Sequence, residues 1–259
     1  MKTLRFIGVA FLTVLMSVSF SACGGSDDDS VPGGSSESGG ITPDKLLVKE
    51  TLQTEKENIT YEYSYDSQGR IIRKDKKENG NSGGYYVYTY IDNLIVQKHF
   101  YAYGGSMETK YTLENGLIVS EEVNGTIKNR YTYENSYLAT RTRDEYDGYK
   151  YIWNNGNLTS IKRLPDENTT SKRGKNYEYT SYAAPQGFVI DYVEEDLGIF
   201  FGKSSTNLPS KFTEVNNDGE IDEQITYDWT LKDGLPVKLV EMEKGGGGIY
   251  TTTHTYEWQ

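Results

Sequence analysis

Few residues of this 259-residue chain are of types that do chemistry by themselves, and the clearest is its single cysteine. Cys23 follows Ser21 and Ala22 after an apolar run, where an unpaired thiol reads as a substrate for modification rather than half of a disulfide. The two histidines, His99 and His254, stand in alternating stretches beside aromatics, the setting of strand residues more than of metal ligands. Asn216, Asp218 and Asp222 in NNDGEID have spacing faintly like that of a calcium loop. Ile225 stands where the closing bidentate Glu belongs, however, so Asn-Asp-Gly reads as a hairpin turn. Asp144, Glu145 and Asp147 read as solvated loop acids, not a metal site. A glycosidase needs only two carboxylates close in space, and among 38 acids such a pair carries no specific signal. The patterns of a nucleophile elbow, a zinc helix and a phosphate loop are absent. The chain is read as a non-enzyme, with no catalytic residue, metal or cofactor.

The other candidate chemistry is stacking. Twenty-three tyrosines and three tryptophans recur with period two, and rings such as Tyr88, Tyr131, Tyr151 and Trp153 would make a platform for a glycan or peptide if their face were open. The plainer reading of the same rings is cross-strand packing in a core.

Both chemistries depend on the elements that carry them. Lys2 and Arg5 precede the apolar run Phe6 to Met16, and small residues lead into Cys23. The run is shorter than the roughly 20 residues of a membrane-spanning helix and reads as a secretory signal, residues 1–22. Phe20 to Cys23 resembles a lipobox, with Phe in the place usual for Leu. That resemblance implies lipidation of Cys23 and attachment to a membrane through a lipid anchor. Residues 23–43, rich in Gly, Ser and Asp, read as a flexible tether. Asp27, Asp28 and Asp29 resemble the signal that sends Bacteroidetes-type lipoproteins to the outer face of the outer membrane. Cleavage ahead of Cys23 removes two of the 27 basic residues and none of the 38 acids, leaving a net charge of −13 with both histidines neutral. Such a surface repels nucleic acid.

Residues 44–259 read as a single repetitive β domain. Stretches such as YEYSYDSQGRII, KYTLENGLIV and YKYIWNNGNLTSI alternate, turn at Gly or Asn, and alternate again, each a β-hairpin. The turn residues Gly69, Asn93, Gly116, Ser136 and Gly156 recur every 20 to 24 residues, the mark of a repeat architecture. Alternation puts Tyr61, Tyr63 and Tyr65 on one face and Glu62, Ser64 and Asp66 on the other. The rhythm breaks near Ala183, and Phe188, Val189, Tyr192, Val193, Leu197, Phe200 and Phe201 fall close to helical spacing. The expected fold is mainly β: a long antiparallel meander of hairpins curved into a half-barrel or open barrel. One amphipathic helix at about 186–201 is expected to pack in its trough.

YSYDSQGRI, Tyr63 to Ile71, resembles a YD repeat of the RHS type. Taken whole, residues 44–259 resemble a family of Bacteroidetes lipoproteins of unknown function with a porin-like fold, through the tether, the hairpins and IFFGKSSTNLPSKFTEV. That family implies no functional residue. Two functions follow as expectations: a surface module that binds an extracellular glycan or protein partner, and a structural envelope protein docking another outer-membrane component by a sheet edge or its acidic face. A carboxylate-based hydrolase is a weaker third.

Overall fold

The hairpins turn where the backbone enters the left-handed region. Asn115 and Gly116 have φ of 51° and 76°, and Asn124-Gly125, Asn155-Gly156 and Asp233-Gly234 repeat the pattern. These are type I′ geometries, whose twist matches that of the strands they join. In the computed structural model, residues 45–143, 148–164, 172–189, 193, 195–245 and 248–259 are described. Among them sixteen strands follow in order: β1 Leu47–Gln53, β2 Asn58–Tyr65, β3 Ile71–Glu78, β4 Asn81–Ile91, β5 Leu94–Tyr101, β6 Ser106–Glu114, β7 Leu117–Val123, β8 Thr126–Glu134, β9 Tyr137–Thr142, β10 Gly148–Asn154, β11 Asn157–Leu164, β12 Gly174–Ala183, β13 Asn207–Val215, β14 Ile221–Lys232, β15 Leu235–Gly245 and β16 Gly248–Trp258.

Each strand pairs antiparallel with its neighbours in sequence, and β16 returns to β1, with Glu50 opposite Tyr256 and Leu52 opposite His254. The sheet is therefore a closed barrel, which corrects the expected half-barrel. Closure pairs the N–H and C=O groups that two free edges would expose, and the twist of a long meander brings those edges together. Alternation within a strand does not encode that last pairing.

Inside the barrel, the repeat has a second level. The last inward aromatic of nearly every even strand donates a hydrogen bond to a carbonyl at the start of the odd strand before it. Tyr90 reaches Ile71 O at 2.8 Å, Tyr133 reaches Ile118 O at 2.6 Å, Trp153 reaches Leu138 O at 2.8 Å and Trp258 reaches Pro236 O at 2.7 Å. Tyr179 and Trp229 do the same to Leu158 and Pro209. Bulges beside Tyr133 and Trp153 re-aim these side chains. Ile95, Ile118, Leu138, Leu158 and Leu208 form a fully buried aliphatic ring at that end. Burial of each contributes about 1.5–3 kcal/mol. The outward positions of the same strands are polar, with Arg130, Lys150, Lys162, Glu178, Asp228 and Lys238 all exposed.

The described residues between β12 and β13, 184–189, 193 and 195–206, plug this end of the barrel. Lys203 N donates to Ser136 O at 2.8 Å and Thr206 N to Gly156 O at 3.0 Å, tying the plug to two hairpin turns. The expected helix over 186–201 is absent from the described residues, whose helical content here is a 3-10 segment, Glu195–Phe201, kinked at Leu197. Glycine explains the difference. Gly187 has φ +74°, and a Cβ on Gly198 would meet the carbonyl oxygen of Gly187 at 2.5 Å, a backbone approach that a continuous helix would not allow. The apolar spacing instead marks side chains that enter the core. Leu197 and Phe201 are buried among barrel aromatics, with Phe201 edge-on to Tyr131 at 5.1 Å and Phe188 edge-on to Tyr256 at 5.6 Å.

Candidate functional site

The plug packs against the side of the barrel near β5 to β14 and leaves a cavity of about 510 Å³ against β1 to β4, β15 and β16. It reaches from Leu46 and Trp258 at the plugged end to the exposed hairpin residues Thr54 and Glu57 at the opposite rim. Its size lies within the roughly 300–1,000 Å³ usual for small-molecule sites. Tyr61, Tyr63 and Tyr65 wall it on β2, Tyr256 and Trp258 on β16, and Phe188 and Phe200 on the plug.

Two charged groups face this space. Across the closing seam, His254 of β16 lies between Glu50 of β1 and Glu241 of β15. Nδ1 is 3.1 Å from Glu50 Oε1, and Nε2 is 3.3 Å from Glu241 Oε2. The second contact falls short of hydrogen-bond geometry. Burial disfavours the charged ring, but the two carboxylates outweigh it and lift the His254 pKa to about 9. Tyr63 adds a hydrogen bond from its hydroxyl to Glu50 Oε2 at 3.3 Å. With both carboxylates engaged by one imidazolium, the cluster serves first as a clasp across the seam.

The second group ties plug to wall. Asp196, whose side chain is 3% exposed, accepts from Lys74 Nζ at 2.9 and 3.0 Å and from the Tyr88 hydroxyl at 2.5 Å. Gln97 Nε2 donates to the Tyr88 oxygen at 3.0 Å. The Lys74 ammonium lies 4.5 Å from the ring centre of Tyr61.

The rings expected to form a platform sit elsewhere. Tyr88, Tyr131 and Tyr151 are buried core residues, and half-buried Trp153 packs on Tyr137 at 4.7 Å. None of the four is among the residues that line the cavity. Closure of the barrel is the physical reason, since it turns the aromatic face inward onto the plug. Tyr131 donates to Glu121 at 2.9 Å, and burial with that partner pushes its phenol far up. His99 lies in β5 stacked on Tyr86 at 4.0 Å, with burial lowering its pKa. Asn216 Oδ1 accepts from the backbone N–H groups of Asp218 and Glu220 at 3.0 and 2.9 Å, as a turn residue does, and among the described residues no group of acids, histidines or cysteines is arranged to hold a metal. Cys23, Asp27, Asp28, Asp29, Asp144, Glu145 and Asp147 lie outside the described residues.

The residues missed were Glu50, Glu241, Lys74 and Trp258. Tyr61, Tyr63 and Tyr65 were already legible as one face, but nothing local joins Glu50 to Glu241, which are neighbours only through closure.

No protein-family model and no curated protein matches the chain. Solved structures do. A porin-like protein from Bacteroides uniformis superposes with a TM-score of 0.61 at 17% identity, covering 82% of this chain and 96% of that one. A porin-like protein from Bacteroides vulgatus gives a TM-score of 0.55 at 15% identity, over 83% and 99% of the two chains. The chain thus has the β-barrel fold of these porin-like proteins.

Proposed function

We propose that this chain is a lipid-anchored envelope protein whose barrel binds the end of an extracellular glycan or peptide, without catalysis. One observation carries the binding reading: a ring-lined cavity persists beside the seam, alongside the buried aromatic core of the barrel. A closed wall admits a ligand end-on from the rim, not lengthwise along a trough. The exposed charges of the outer surface support attachment through lipid on Cys23 rather than by spanning, because a membrane-spanning barrel carries an outward apolar band about 25 Å tall. Asp27, Asp28 and Asp29 support presentation at the cell exterior. Mass spectrometry of the isolated full-length chain tests the anchor, and an unmodified Cys23 would sink it.

Thermal-shift screening of the full-length chain against glycan and peptide panels tests the binding. Stabilising ligands should lose their effect in Thr252→Trp, which fills the cavity from β16. A panel without hits, or hits indifferent to that substitution, would count against the reading. A second reading, docking of another envelope component, draws on the exposed Ile221 and Ile249, which meet at one rim. Among the described strands closure leaves no free sheet edge for it, so this rim would be the contact.

A further inference from the structure

The class of ligand follows from the charges of the cavity, given the binding reading above. Among the described lining residues four acids, Glu50, Glu57, Asp196 and Glu241, face three bases, Lys45, Lys74 and His254. Lys74 is held by Asp196, and His254 is shared by two carboxylates. The seam therefore presents two carboxylates around one imidazolium, one negative charge in excess, in a space walled by tyrosines. Ring faces carry the negative lobe of the aromatic quadrupole, so fixed charge and walls favour a cation and disfavour an anion. The protein already places one ammonium in this way: Lys74 Nζ lies 4.5, 5.5 and 5.7 Å from the ring centres of Tyr61, Tyr63 and Tyr86. A neutral sugar would find acceptors here but nothing that answers the excess charge.

We propose that the cavity binds an organic cation, an alkylammonium group of a free amine or of a lysine side chain, with its charge toward Glu50 and Glu241 and its carbon against the tyrosine wall. His254 is then the built-in competitor for that cation. Removing its charge should strengthen binding, whereas a purely structural histidine would weaken it when removed.

Calorimetric titration of the full-length chain with choline and with its neutral carbon isostere, dimethylbutanol, tests this. Choline should bind at least about tenfold tighter than the isostere, Glu241→Gln should weaken choline by about tenfold, and His254→Gln should tighten it by about as much. If His254→Gln fails to fold, the wild type carries the same test. Choline keeps its charge at every pH, so its affinity should rise from about pH 7 to about pH 10 as the imidazolium loses its proton. Parallel titrations with butylamine and a lysine tripeptide identify the free amine or the peptide as the better source. Equal affinity for choline and its isostere overturns the cation assignment. So does a neutral glycan that binds and is blocked by Thr252→Trp when choline does not bind, but that result leaves the cavity reading standing. Binding by no probe overturns both.

Discussion

Replacing Asp196 by Ala removes the carboxylate that joins plug to wall, and the structure sets the size of the effect. Asp196 and Lys74 have side chains 3% and 13% exposed, so water cannot readily take the place of either partner. Removing one member of a buried pair costs about 3–5 kcal/mol, mostly because a charge is left desolvated. Tyr88 also loses its acceptor, worth about 1 kcal/mol, although Gln97 still bonds its oxygen. The contact of Lys74 with the Tyr61 ring is present before and after the substitution and does not enter the difference. The expected loss is about 4–6 kcal/mol. Urea denaturation followed by tryptophan fluorescence measures it as a lower midpoint at unchanged slope. Adding Lys74→Met should recover part of the loss, since the ammonium that Asp196 held is removed with it. A loss below about 0.5 kcal/mol, or a double variant as unstable as the two single losses added, would refute the latch.

Three further outcomes follow. The pKa of His254 is raised from 6.5 to about 9 in the folded protein, so its contribution is complete below about pH 6.5 and is lost as pH rises through 9. Denaturation midpoints of the wild type should fall over that window, by at most about 3 kcal/mol in stability, and those of His254→Gln should fall much less. Gly202 has φ +85°, and a Cβ there would collide with the Ser136 carbonyl oxygen. Gly202→Ala should cost about 1–3 kcal/mol, read by thermal melting. Trp153→Phe removes the donor to Leu138 O and should cost about 1 kcal/mol in the same melt. Ligand affinity should not change in that variant, because Trp153 is not in the cavity wall.

What the sequence made legible was whatever is written locally. Period-two alternation placed the tyrosines on one face, and Asn-Gly pairs placed the turns, because backbone sterics decide both within a few residues. Closure of β1 on β16 joins residues about 200 positions apart, as Glu50 and His254 show, and no local pattern reports it. The plug misled for a related reason. Phe188, Leu197 and Phe201 are apolar at helical spacing because each enters the core, while Gly187 and Gly198 let the backbone fold tightly between them. The platform rings turn on the same closure: on an open sheet Tyr88 and Tyr151 would face solvent, and in the closed barrel both are buried in its core.

The central claim is that the space beside the closing seam receives a ligand. Calorimetric titration of choline into the full-length wild type and into Thr252→Trp tests it most directly. Saturable one-site binding in the wild type that vanishes in the filled variant is the expected result; saturable binding that persists unchanged in Thr252→Trp would contradict it.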